Sequence, residues 1–316
     1  MNCLDKTAVR LSGGVNLAFY QKHAVNCLLR ALPRRDGVIL ELGSDIEAKV
    51  VRALAASTSA EVIGMNPSAE FPRLIEGEIL SSGVKLLRED GRNIPMPDAS
   101  VDAVLTIATV EHVIGLDAFY SEIRRVLKPG GVLHADFAPV WSCYQGHHTF
   151  VVHGGKEVRY WKSGRNPVPD FAHLLLTPEE MREFLHGGPC APELVEPIVQ
   201  WIYFQDGINR CFLEDHITAL EHSGLWCQRL TRKPGVNPDA ATATRLREKY
   251  GERNFSVFGL EATMRKPGGG CTRMGVASRR AANNLRQFAY TGARLFTPAL
   301  RQVKPFRDLL ERRRHK

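Results

Sequence analysis

Residues 139–150, PVWSCYQGHHTF, bring Trp141, Tyr144, His147 and His148 within eight positions. An imidazole of ordinary pKa, near 6.5, can take a proton from a substrate hydroxyl at neutral pH and later release it. Aromatic rings beside it can wall a pocket for an organic molecule. The segment therefore suggests general-base chemistry on a small substrate, with His147 or His148 as the base and Trp141 and Tyr144 as the walls. The same histidines also fit a polar loop in which they hydrogen-bond to backbone, and the sequence leaves both readings open. A metal centre that adds His153 or His173 lacks fixed ligand spacing and accompanying acids. The seven cysteines are scattered and never form CxxC, so neither a cysteine-only metal site nor a disulfide framework is expected.

A second group of polar residues stands at the ends of apolar runs. Glu41, Gly43 and Ser44 follow VIL in ELGSDIE, and Asn66 follows EVIGM. Asp90 and Gly91 follow VKLL, and Thr109 and His112 follow VDAVLTIA. In an open α/β sheet, ligands bind outside the carboxyl ends of the strands, near the point where strand order reverses. The segment with His147 and His148 leaves the last of these runs, so it would reach the same rim. Asn209, in DGINRCF, could join it from a later part of the chain.

The elements needed to hold these residues can be read from periodicity. Leu17, Tyr20, Ala24, Leu28 and Leu29 have helical spacing over 15–32. Val38–Leu42, Glu61–Met65, the run closed by Asp90, Val101–Ala108 and Gly131–Phe137 are apolar runs suited to strands buried on both faces. Helices are expected over 46–57, between the last two of those strands, over 177–186 and over 207–223. Thr177 and Glu180 form a capping box for the third of these. Leu225–Thr231 and Asn254–Met264 read as an antiparallel hairpin. Residues 138–200 break the alternation and read as an insertion. These features predict an α/β fold: a doubly wound, mostly parallel seven-stranded sheet with a C-terminal antiparallel hairpin and a cap insertion. The domain boundaries are a lead-in helix over 1–35, a catalytic-type domain over 36–266 with its cap at about 138–222, and a tail over 267–316.

Residues 84–138 carry Asp90, then IPMPDASVDAV, VEHV and EIRRVLKPGG. This order resembles the second half of class I S-adenosylmethionine (SAM)-dependent methyltransferases. The similar subgroup is methyltransferase type 11, typified by ubiquinone and menaquinone C-methyltransferases. The resemblance implies a Rossmann-like fold, SAM as cofactor and methyl transfer as the reaction. It implies SAM-binding roles for Glu41, Gly43, Ser44, Asn66, Asp90, Gly91 and Thr109. His112, Trp141, Tyr144 and Asn209 would face the acceptor. Asp45 and Glu47 depart from the family pattern, because they stand where its second and third glycines would be. Asn66 stands where an acid is usual. The reading that follows is methylation of a small molecule, at the oxygen of a sugar, glycolipid or secondary metabolite. The alternatives are a non-catalytic scaffold with a degenerate cofactor loop, or an RNA methyltransferase.

Composition limits the classes further. A chain of 316 residues that is 44% hydrophobic and 24% charged has a globular composition. No window holds the roughly 18 consecutive apolar residues of a membrane span, and the N-terminus has no signal-like apolar core, so a cytoplasmic location is expected. The net charge of +8 is concentrated at the end of the chain. Residues 271–316 hold 12 Lys and Arg against 2 acids, with Val276, Leu285 and Phe288 interspersed. Such a tail reads first as a solvated segment, next as a peripheral contact with an anionic membrane, and last as a nucleic-acid contact, because the body of the chain is not basic.

Overall fold

The computed structural model describes residues 15–72, 83–162, 166–188 and 190–268. The basic tail and the segment 73–82 lie outside the described residues. The chain divides into two compact units. Among the described residues, the first comprises 15–140, 209–235 and 257–268, and the second comprises 141–208 and 236–256. The cap, expected over about 138–222, differs from this second unit at both ends: residues 209–222 belong with the sheet, and a later helix joins the cap.

The first unit is built on a seven-stranded sheet. Its strands are β1 (Val38–Leu42), β2 (Glu61–Met65), β3 (Val84–Leu87), β4 (Val101–Ile107), β5 (Leu127–Phe137), β8 (Trp226–Pro234) and β9 (Val257–Arg265). Their order is β3-β2-β1-β4-β5-β9-β8. The first five are parallel, while β9 runs antiparallel to both β5 and β8. This is the doubly wound sheet with a terminal hairpin that periodicity predicts. β1 and β2 have the expected bounds, because both are short apolar runs with no polar face. β5 begins earlier than expected. Leu127 pairs with Val101, the Lys-Pro-Gly-Gly stretch loops out, and pairing resumes at Val132.

Helix α1 (Phe19–Ala31) buries Ala24, Val25, Leu28 and Leu29 against one sheet face, where they meet Ile39, Ala103, Leu105 and Val132. α2 (Lys49–Ser57) connects β1 to β2. α3 (Leu116–Val126) buries Leu116, Phe119, Tyr120, Ile123 and Val126, a single stripe at three- to four-residue spacing. Its last turn explains two of the sequence motifs together. Arg125 donates to the Glu122 carboxylate at 2.7 Å, the Ile94 carbonyl at 2.7 Å and the Met96 carbonyl at 2.8 Å. Glu122 in turn accepts the Ile94 N–H at 2.9 Å. The IPMPD loop is thus clamped by the E-x-x-R pair of the helix that follows β4. α7 (Leu213–His222) completes this unit and packs on α3.

The second unit holds the hairpin β6 (Phe150–His153) and β7 (Lys156–Arg159) and four helices. These are α4 (Ala172–Leu175), α5 (Pro178–His186), α6 (Pro192–Tyr203) and α8 (Ala240–Tyr250). α5 has the capping box: Thr177 Oγ1 accepts the Glu180 N–H at 3.2 Å, and the Glu180 carboxylate accepts the Thr177 N–H at 2.9 Å. α6 packs on both α5 and β6, and α8 packs on α4. Among the described residues, no helix is long and apolar enough to cross a membrane.

Candidate functional site

Strand order reverses between β1 and β4, since β2 and β3 extend one way and β5 the other. A ligand crevice belongs at the carboxyl ends of these two strands. The segments expected to hold a cofactor leave the sheet there. Glu41, Gly43 and Ser44 close β1, Asn66 follows β2, Asp90 and Gly91 follow β3, and Thr109 follows β4.

The turn after β1 is tight. The amides of Gly43 and Ser44 both donate to the Met65 carbonyl, at 2.8 and 3.0 Å. Gly43 has φ +77°, and a Cβ there would collide with the Thr109 side chain, so only glycine fits. Thr109 Oγ1 donates to the Ile107 carbonyl at 2.8 Å, which fixes its position. Glu41 is buried, accepts the Ser44 hydroxyl at 2.7 Å and is pushed up to about 8, chiefly by burial. It is therefore mostly protonated at neutral pH.

Asp45, in place of a family glycine, has a structural task. Its carboxylate accepts the amides of Glu47 and Lys49 at 3.2 Å and of Val50 at 3.3 Å. It caps α2 from outside the helix, where the exposed N–H groups favour an anion. Glu47 forms an ion pair with Lys49. Asn66 donates to the Ser44 carbonyl at 2.7 Å and accepts the Ser68 N–H at 2.8 Å. Asp90 is half-exposed and held by Arg92, whose guanidinium donates at 2.6 Å and keeps the carboxyl below its ordinary range. Gly91 packs under the Phe119 ring. A cavity of about 440 Å³ lies beside the turn, lined in part by Ala18, Tyr20, Gln21, Asp45 and Lys49.

The turn after β4, Val110–His112, holds a further buried acid. Glu111 is buried, pushed up to about 7 by burial, and its Oε2 has no hydrogen-bond partner among the described residues. His112 is exposed. Asn209 is committed to this turn: its amide donates to the carbonyls of Val110 and Val113 at 2.8 and 3.2 Å.

Trp141, Tyr144, His147 and His148 lie in the second unit. His147 and His148 are buried at 0% and 4% exposure. His147 Nδ1 lies 2.7 Å from Thr149 Oγ1 and 3.2 Å from the Thr149 nitrogen, and its Nε2 is a buried atom without a partner among the described residues. Burial, with His173 and His148 nearby, holds this ring well below the ordinary histidine range. The tautomer of His148 is set by one contact. Its Nδ1 lies 2.8 Å from the Gly146 carbonyl, which can only accept, so Nε2 carries the lone pair. The Trp141 ring lies edge-on to His173 at 4.6 Å, and its carbonyl accepts from His173 Nε2 at 2.8 Å. The Tyr144 carbonyl accepts the Phe171 N–H at 2.9 Å.

Residues 40–135 match a family model described as a methyltransferase domain. A sterol 24-C-methyltransferase of Gibberella zeae is 37% identical over 98 residues, which are 30% of this chain and 26% of that protein. A probable S-adenosylmethionine-dependent methyltransferase of Mycolicibacterium smegmatis is 33% identical over 90 residues, covering 28% of this chain and 31% of its own. The chain thus spans about a quarter to a third of the length of these relatives. A S-adenosylmethionine-dependent methyltransferase structure from Mesorhizobium loti superposes with a TM-score of 0.46 at 14% identity, over 76% of this chain and 96% of that one. The match over 40–135, together with the strand order there, shows that this part of the chain is a methyltransferase domain.

Proposed function

We propose that this chain transfers a methyl group from SAM to a small-molecule acceptor. The observation that carries the reading is the convergence of the Gly43 turn, Asn66, Asp90 and Thr109 on the carboxyl edge of the sheet at its switch point. The donor set suits the cofactor. Asn66 would meet the ribose hydroxyls and Asp90 the adenine amine, with the backbone of 43–44 close to the cofactor and Gly91 and Thr109 beside it. SAM, when bound, supplies an electrophilic methyl group on sulfur. The protein's tasks are then to hold the acceptor in line and to remove a proton where the acceptor needs it.

For the acceptor, the finer proposal is an oxygen of a sugar, glycolipid or secondary metabolite, with His147 or His148 as base and Trp141 and Tyr144 beside it. Of His147 and His148, the better candidate is His148, whose Nε2 carries the lone pair, since burial and the neighbouring imidazoles make His147 a weak proton acceptor. The names of the sterol relatives favour a carbon acceptor instead, which needs less help from a base.

Calorimetric titration with SAM and with S-adenosylhomocysteine, repeated on Asp90→Ala, tests the proposal. Micromolar binding that is lost in the variant is the expected result. No binding at millimolar cofactor would overturn it. The Asp45 cap on α2 would then favour the non-catalytic scaffold.

A further inference from the structure

On the face of the sheet covered by α1, the strands β5, β9 and β8 carry polar side chains where an α/β core is usually apolar. His134 pairs across the ladder with Thr263, and Asp136 with Glu261. All four are buried. Over them lie His23 and Cys27 of α1, four residues apart and so on one helix face.

Three of these groups converge. His23 Nε2 is 2.8 Å from Glu261 Oε2 and 3.6 Å from Cys27 Sγ, and Cys27 Sγ is 3.9 Å from Glu261 Oε1. Ligand atoms on a tetrahedral zinc ion, at about 2.0–2.3 Å from the metal, stand roughly 3.4–3.6 Å from one another. One of the observed separations, the 3.6 Å between His23 and Cys27, has that dimension; the other two run to different oxygens of Glu261, at 2.8 Å from His23 through a hydrogen bond and at 3.9 Å from Cys27. The donor types, imidazole nitrogen, thiol sulfur and carboxylate oxygen, are those zinc takes. Among the described residues this is the one group of its kind.

The neighbouring charges leave the triad room for a cation. Asp136 is paired with Lys233, and Arg229 Nη1 stands 3.8 Å from Glu261, at the long end of an ion pair. His134 donates or accepts at Nδ1 with Thr263 Oγ1, at 3.0 Å, and its buried Nε2 has no partner among the described residues. The His23 side chain is 43% exposed, so an ion can enter from solvent.

We infer that His23, Cys27 and Glu261 form a binding site for a divalent transition-metal ion of the zinc class, with water as the fourth ligand. The site is independent of the cofactor crevice. It would join α1 to β9, elements separated by more than 200 residues. On binding, the Cys27 proton leaves to solvent and the sulfur bonds as thiolate.

The test is titration of the metal-stripped full chain with Co²⁺ and Zn²⁺. One equivalent of Co²⁺ is expected to give a thiolate charge-transfer band, which Zn²⁺ abolishes. Zn²⁺ is expected to raise the melting temperature. Cys27→Ser and His23→Gln should each weaken binding by roughly tenfold or more. Both positions are only partly buried, and circular dichroism would confirm folding. Cys190→Ser, in the other unit, should change nothing. Absence of the band, or an affinity unchanged in both Cys27→Ser and His23→Gln, overturns the inference.

Discussion

The carboxylate of Asp45 lies 3.2 Å from the backbone nitrogen of Lys49, at the first turn of α2. With Val50 and Glu47 also donating to it, one side chain satisfies amides that the helix cannot bond itself. Asp45→Ala should cost about 1 kcal/mol of stability. Asp45→Asn should cost less, since its oxygen still accepts but the charge facing the helix dipole is gone. Thermal melts of the three proteins would show this order. If Asp45 serves only α2, the alanine variant should bind SAM at least as tightly as the parent. Loss of cofactor binding would instead place Asp45 against the ligand.

Glu41 gives the fold a pH dependence with a definite sign. Burial pushes its carboxyl up to about 8, and that of Glu111 up to about 7. A raised folded-state pKa means the folded protein holds protons that the unfolded chain releases from about pH 4 upward. The stability this contributes is complete below that point and is lost as pH rises through the folded values. Denaturant unfolding should therefore show stability falling from about pH 4.5 up to about pH 7 for Glu111 and up to about pH 8 for Glu41, by on the order of 1 kcal/mol per pH unit for each group. Glu41→Gln should flatten that slope, because the amide keeps the shape and removes the titration. An unchanged slope would refute the assignment to Glu41.

Arg125 should tolerate no replacement. It donates to Glu122, Asp98 and the carbonyls of Ile94 and Met96, and a lysine cannot reach all four in that fork geometry. Arg125→Lys and Arg125→Ala are both expected to lower stability, by roughly 1–3 kcal/mol. Both should also weaken SAM binding, since the clamped loop follows Asp90 directly. Stability unaffected by Arg125→Lys would show that the loop holds itself.

The parts legible in the sequence were those governed by local pattern. β1 and β2 stand out as apolar runs between polar turns, and the α5 cap as Thr177 with Glu180. The β6–β7 hairpin was missed although its signal was present: Gly154 and Gly155, with φ +56° and +74°, are the two left-handed residues of a tight hairpin turn. α6 lies in the stretch 138–200 that reads only as an insertion, and it carries Pro192 and Pro197, which are uncommon in helices. Pro192 occupies the first turn, where no amide is needed, and Leu194, Val195, Ile198, Val199 and Ile202 keep helical spacing past Pro197. Asp45 read as a defect because its partners are helix amides, which no side-chain pattern reveals. The His23–Cys27–Glu261 triad could not be read at all, since its members meet only through the pairing of β5 with β9.

His216 offers a last check, on buried imidazoles in this fold. It lies on α7, fully buried, with its ring 4.9 Å from that of Phe137. Neither ring nitrogen has a hydrogen-bond partner among the described residues, and burial lowers its pKa to about 3. A buried imidazole with no partner is a net cost that an apolar side chain of similar volume would remove. The cost grows in acid, because the unfolded chain takes up a proton near pH 6.5 that the folded chain excludes. The parent should therefore lose about 1.4 kcal/mol per pH unit from this group as pH falls from 6.5 toward 3. His216→Leu should raise stability modestly at pH 8 and by roughly 2 kcal/mol more at pH 5. Urea unfolding at the two pH values decides it. A variant less stable than the parent at pH 5 would mean that the His216 ring has a partner in solution.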